Sequence, residues 1–213
     1  GKSPFVKASE RFKSDQEKIV ASIPHLTDVP LVPRSAFAPY HHPTHTIAFQ
    51  DASECYGMGG WFPSDTHLYY FVEPWPTELG TALRARPREW FITHSELLAE
   101  AFAIDMVARF KPDTTHLTDF TDNEAARGAA NRGSSTSEGM HTAAVWIDEA
   151  TTAANITTRT MRVTTHENWV ADQLSRGILD AGERAARLLG LIPCRVSYSP
   201  DHPIWELARL SCE

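Results

Sequence analysis

Lysine is scarce in this chain. It supplies 5 of the 20 basic residues, the other 15 being arginine, and none follows Lys111. Acidic residues number 27, which leaves a formal net charge of -7. That balance excludes a protein that grips nucleic acid mainly through bulk positive charge. It does not exclude an enzyme that places a few arginines on one face, because the guanidinium fork suits phosphate. Cysteine is as sparse. Cys55, Cys194 and Cys212 are far apart and odd in number, so a disulfide framework is not expected and a reducing, intracellular setting is. No apolar run approaches the roughly 18 residues of a membrane span, and Gly1-Lys2-Ser3-Pro4-Phe5 carries no signal-peptide core. Gly-x-Ser-x-Gly, Walker and Gly-x-Gly-x-x-Gly motifs are missing, as is the Tyr-x-Asp-Asp of a polymerase.

What is there suits one globular domain with an appended segment: 213 residues, 42% of them hydrophobic. Residues 1–44 read as a leader or connection segment. An amphipathic helix is predicted over 9–23, followed by a stretch punctuated by Pro24, Pro30, Pro33, Pro39 and Pro43. The main domain is expected over 45–190 and a C-terminal extension over 191–213. Strands are predicted at 46–50, 56–62 and 67–72, with Pro63-Ser64-Asp65 as a turn, giving a meander. Residues 73–89 hold three prolines with Arg84, Arg86 and Arg88, and read as a loop. Leu97, Leu98, Ala101, Ile104 and Ala108 recur at helical spacing over 94–110, with Thr93 or Ser95 as cap and Lys111-Pro112 as stop. A strand at 114–121, helices at 123–130 and 137–154, a strand at 158–164 and a helical stretch at 168–190, broken near Gly177 or Gly182, complete the order. The fold class is therefore α/β, a five-stranded mixed sheet with helices on both faces.

Four acids sit where such a sheet gathers its ligands. Asp51 ends the first strand, Glu96 lies in the predicted first turn of the long helix, Asp122 ends the fourth strand and Asp172 opens the last helix. Each alone has a plain explanation. An aspartate at a strand end forms turns or caps helices, and a glutamate in a first turn complements the helix dipole. Together they would repel one another, and hard divalent cations relieve such crowding. Two such ions can activate water and stabilise the leaving oxygen of a phosphodiester.

The motifs around these acids resemble the ribonuclease H domain of retroelement reverse transcriptases. Asp51-Ala52-Ser53 with Gly57-Met58-Gly59-Gly60-Trp61 resembles that family's opening hairpin. Ser95-Glu96-Leu97-Leu98-Ala99 resembles its Glu-Leu-Leu-Ala helix, and Thr121-Asp122-Asn123 its third acidic motif. Asn168-x-x-Ala171-Asp172-x-Leu174-Ser175-Arg176 resembles its C-terminal motif, with an ending similar to gypsy-type and DIRS-type elements. The resemblance covers roughly residues 45–177. It implies the ribonuclease H-like fold and hydrolysis of the RNA strand of an RNA–DNA hybrid. It also implies two Mg2+ or Mn2+ ions on Asp51, Glu96, Asp122 and Asp172, and a polymerase domain of the same polyprotein as partner. Ser53 and Asn123 are expected to touch substrate, where 2′-hydroxyls tell RNA from DNA.

Departures from the family pattern leave alternatives open. Many members carry a histidine on a flexible loop before the last acidic motif. Here His166 lies close to that position, in Thr165-His166-Glu167-Asn168, with little loop to move on. A lysine-rich basic protrusion is missing. Arg127 and Arg132 either replace it or are solvent-facing helix charges. A catalytically weak scaffold domain is the rival reading. A related nuclease or integrase acting on DNA is another, although integrases place the glutamate last and here it comes second. The cluster His41, His42 and His45 reads as a solvated loop, because zinc wants a fourth ligand and usually a cysteine. Trp75 and Trp90 read as packing anchors and Cys55 as structural.

Overall fold

The burial pattern of residues 45–52 shows the period of two that makes a strand. In the computed structural model, which describes residues 44–212, this is β1, His45–Ala52. Hairpin turns carry the chain through β2, Gly57–Pro63, and β3, His67–Pro74, both antiparallel to their predecessors. Two helices follow, α1 at Thr77–Arg84 and α2 at Arg88–Phe110. Next come β4, His116–Thr121, parallel to β1, then α3, Glu124–Arg132, and α4, Glu138–Ala153. Then β5, Thr157–Arg162, pairs parallel to β4, and α5, Trp169–Ser175, and α6, Asp180–Leu189, follow. The chain closes with β6, Ile192–Val196, and α7, Pro203–Leu210. The sheet order is β5-β4-β1-β2-β3-β6.

The mixed sheet with helices on both faces is present, with six strands where five were expected. The sixth comes from the predicted C-terminal extension. β6 pairs parallel to β3, with Tyr69 opposite Cys194, and α7 sends Ile204, Trp205, Leu207 and Ala208 into the main core. On one face lies α2, buried almost all round between the sheet and the helices α4 and α7. On the other, α5 and α6 pack Val170, Leu174, Ala181 and Ala185 against Leu68, Tyr70 and Val72. The expected helix at 9–23 and His41 and His42 lie outside the described residues. Among the described residues no helix is long and apolar enough to cross a membrane.

Two expectations need correction. Residues 73–89 are not a loop, because α1 forms inside them. The prolines stand outside that helix, at Pro74, Pro76 and Pro87, and Leu79, Gly80 and Leu83 share its buried face. The long helix also begins at Arg88, six residues before the expected start at 94. Pro87, not Thr93 or Ser95, precedes its first turn, and Phe91 and His94 extend the buried stripe. Elsewhere the punctuation acts as read. Lys111 ends α2, and Gly133 ends α3 at φ 62°. Gly177, at φ 81°, separates α5 from α6, while Gly182 lies inside α6.

One glycine sets how α5 meets the sheet. A Cβ on Gly59 would lie 2.4 Å from the Ser175 nitrogen and 2.5 Å from the Leu174 carbonyl carbon, so a side chain there would push the helix off β2. Gly59→Ala is expected to lower stability by about 1–3 kcal/mol, the usual cost of overpacking a closed contact. Urea unfolding midpoints of the two proteins check this, and an unchanged midpoint contradicts the close approach.

Candidate metal centre

Three of the four acids predicted to converge, Asp51, Glu96 and Asp122, lie together at one edge of the sheet. Asp51 is the penultimate residue of β1, and Gly59 opposite it on β2 leaves room for α5 above. Asp122 follows directly on β4, which runs parallel beside β1. Glu96 comes from α2 on the other face of the sheet. Because α2 starts at Arg88, Glu96 lies more than two turns inside it, so complementing the helix dipole does not explain it. It is 2% exposed, Asp51 is 6% exposed, and Asp122 is half-buried. One ligand atom from each of Asp51, Glu96 and Asp122 lies within 4.8 Å of the others.

Asp172, on α5, stands near enough for its charge to act on Asp51. The Ser175 hydroxyl lies 2.5 Å from Asp51 Oδ2 and 2.8 Å from the Asp172 carbonyl oxygen. It has one proton to donate, and the carboxylate is the stronger acceptor. The Asp172 carboxylate is paired to Arg176, whose Nε and Nη2 donate to Oδ1 at 3.1 and 2.7 Å.

Neighbouring donors hold each carboxylate in place. The Ala52 N–H donates to Glu96 Oε1 at 3.1 Å, and the Thr121 hydroxyl to Oε2 at 3.0 Å. The Thr165 hydroxyl donates to Asp122 Oδ2 at 2.5 Å. Asn168 donates its amide to the Gln50 carbonyl at 2.8 Å and ties the start of α5 to β1. Ser175, Thr121 and Thr165 were not singled out in the sequence. Ser175 and Thr121 stand inside motifs quoted for their acids, which is the one signal that marks them.

The electrostatics follow from crowding in a dry place. Burial pushes the Asp51 carboxyl up to about 7, only partly offset by the Ser175 hydrogen bond, and the charges of Asp122 and Asp172 push the same way. Glu96 is raised well above the carboxylate range, by burial first and then by Asp51 and Asp122. Beneath the site a second buried pair, Glu100 of α2 and Asp119 of β4, is bonded to Thr160 and Gln50, at 2.6 and 3.3 Å. Burial, then the charge of Glu100, raises Asp119 as well. That layer was missed, since nothing local marks an acid as core-facing.

The other predicted site residues are placed as follows. Ser53 is engaged within the protein, donating to the Ser175 carbonyl at 2.5 Å. Asn123 caps α3, its Oδ1 accepting from Ala125 and Ala126 N–H groups at 2.9 and 3.0 Å. Arg127 is ion-paired with Glu124. Arg127 and Arg132 line a groove of about 520 Å3 between α3 and the start of α2, together with Trp90, Thr93 and Met140. His166 is exposed in the four-residue turn before α5, next to Thr165. Trp90 stacks on His94 at 4.4 Å, and Trp75 donates to the Ser53 carbonyl at 2.8 Å, so both indoles anchor the fold.

No protein-family model matches the chain, and no curated protein matches it. Among solved structures it is similar to ribonuclease H1 from the halophilic archaeon Halobacterium salinarum. The identity is 16%, the match covers 64% of this chain and 98% of that one, and the TM-score is 0.47. A likeness of that degree assigns neither activity nor substrate, and the site stands on its own geometry.

A carboxyl raised in the folded state binds more protons folded than unfolded. For Asp51 the resulting penalty is absent below its unfolded value of 3.8 and grows as pH rises to about 7. Stability in EDTA is therefore expected to fall between pH 5 and pH 8, by on the order of a few kcal/mol, with Mn2+ restoring it at pH 8. Asp51→Asn is expected to flatten that slope. Urea titrations at the two pH values measure it, and equal slopes in parent and variant would contradict the crowding.

Proposed function

We propose that this domain is a metal-dependent nuclease that hydrolyses the RNA strand of an RNA–DNA hybrid. The reading is that of a ribonuclease H domain of a reverse transcriptase. The observation that carries it is the convergence of Asp51, Glu96 and Asp122 within 4.8 Å, from three separate elements, with the charge of Asp172 acting on Asp51.

The donor set fits hard divalent cations such as Mg2+ or Mn2+. It is all carboxylate oxygen, without cysteine or histidine, and burial raises the carboxyls of Asp51 and Glu96, a shift that a bound cation would oppose. Bound there, a pair of such ions supplies water activation and charge stabilisation at a phosphodiester. The protein's own groups prepare the place. Thr121 and the Ala52 N–H orient Glu96 while leaving each of its oxygens a further lone pair. Ser175 engages Oδ2 of Asp51, and the same carboxyl meets Glu96, a contact that a shared cation would replace. Asp172 keeps Oδ2 clear of Arg176, which bonds Oδ1 alone.

The groove between α2 and α3 supports binding of an extended nucleic acid, because it lies on the helices that carry Glu96 and follow Asp122. Arg132 and Arg127 offer phosphate contacts there, Arg127 after leaving Glu124. Asn123 contributes through its amide nitrogen, since its oxygen is engaged in the α3 cap. Ser53 contributes by holding the end of α5. The retroelement setting and a polymerase partner on the same polyprotein rest on the sequence motif that ends in Leu174-Ser175-Arg176. Cys55, Cys194 and Cys212 are free thiols, which supports an intracellular setting. The inactive-scaffold reading draws support from the shortness of the turn that carries His166.

Asp51→Asn and Glu96→Gln are each expected to lower Mn2+-dependent cleavage of a labelled RNA–DNA hybrid by more than about a hundredfold, with far-UV circular dichroism unchanged. Cleavage at the parental rate by either variant would refute the site. A parent protein that leaves the hybrid intact with both Mg2+ and Mn2+ would favour the scaffold.

A further inference from the structure

The Asp172–Arg176 ion pair stands apart from the other contacts of the site. Among the described residues, the donors bonded to three of the four acids are the Ala52 N–H and the hydroxyls of Thr121, Thr165 and Ser175, all neutral. The fourth already has a cation. Arg176 reaches Asp172 across one turn, with two guanidinium nitrogens on one oxygen at 3.1 and 2.7 Å. The pair is partly buried, with side-chain exposures of 59% for Arg176 and 23% for Asp172.

Its backbone is tightly placed. Arg176 caps the end of α5, the Ser53 hydroxyl holds the preceding carbonyl at 2.5 Å, and Gly177 lies so close to the Tyr56 ring that a Cβ would meet it at 2.7 Å. The backbone of Arg176 is therefore held beside the cluster, and its exposed side chain is kept there by the Asp172 carboxylate. The charge of Asp51 also acts on Arg176, in the same sense as that of Asp172.

We infer that Arg176 is the resident counter-cation of Asp172 and a positioning residue that makes the four-carboxylate site unequal. This rests on the metal-dependent reading above. Asp51, Glu96 and Asp122 take the first divalent ion against only the weaker pull between Arg176 and Asp51. A second ion at Asp172 must displace or compete with the guanidinium bonded to that carboxylate, and it binds more weakly for that reason. Arg176 thereby keeps the second position from filling before other negative charge, such as a substrate phosphate, enters the site.

The test is calorimetric titration of the full chain with Mn2+ alone. The parent is expected to show one tighter and one weaker ion. Arg176→Gln is expected to tighten the weaker step roughly fivefold to tenfold while leaving the tighter one within about twofold, since a partly exposed ion pair contributes modestly. Arg176→Lys, which keeps the charge without the fork, is expected to lie nearer the parent. A second measurement needs no variant. The Arg176 Nε–H resonance of the parent should move less during the first equivalent of Mg2+ than during the second step. An unchanged weaker step in Arg176→Gln, or an Nε–H signal that moves chiefly with the first ion, overturns the role of Arg176 and leaves the nuclease reading standing. Absence of any Mn2+ or Mg2+ binding by the parent overturns both.

Discussion

Three carboxylates with ligand atoms within 4.8 Å, two of them nearly dry, repel one another strongly, and the arrangement of this chain is an answer to that repulsion. Burial raises Asp51 and Glu96 together, so without a cation the charged form of each is disfavoured. A divalent ion relieves the same crowding without protons. A cluster that costs stability when empty is therefore the same cluster that favours a hard cation.

Holding such groups together takes a rigid frame. β1 and β4 lie side by side and end near Asp51 and Asp122, while α2 brings Glu96 from the far face of the sheet. The near face is closed by α5, which approaches β2 because Gly59 has no side chain. Small polar groups then orient each acid: Thr121 for Glu96, Thr165 for Asp122, Ser175 for Asp51. Arg176 alone answers charge with charge, and it does so at the acid furthest along the chain. The unequal surroundings of the four acids follow from which element carries each. An acid deep in a helix is desolvated, whereas one at a helix end can meet a partner four residues on.

Much of the fold was legible because local signals agreed. The short strand runs at 46–50 and 67–72, the helical repeat from Leu97 to Ala108 and the glycine stops at 133 and 177 each speak for the structure found there. α1 was hidden because its prolines cluster outside it, and eight residues with two leucines give a weak periodic signal. The start of α2 was hidden because Pro87 reads as a breaker, although proline is tolerated just before a first turn. β6 was illegible for another reason. It is an edge strand, and its residues are mostly exposed, so no apolar run announces it.

The residue order alone determined which acids stand at the ends of their elements and which short motifs surround them, because strand ends and helix caps are written in local composition. Only the folded chain decided that Asp51, Glu96 and Asp122 share one small volume, that Ser175 bridges to Asp51 across 124 positions, and that Arg127 lies paired in a groove. Proximity between distant segments depends on how the sheet orders its strands and how closely helices approach it. Those distances are set by packing across the whole core, to which no single stretch of sequence has access.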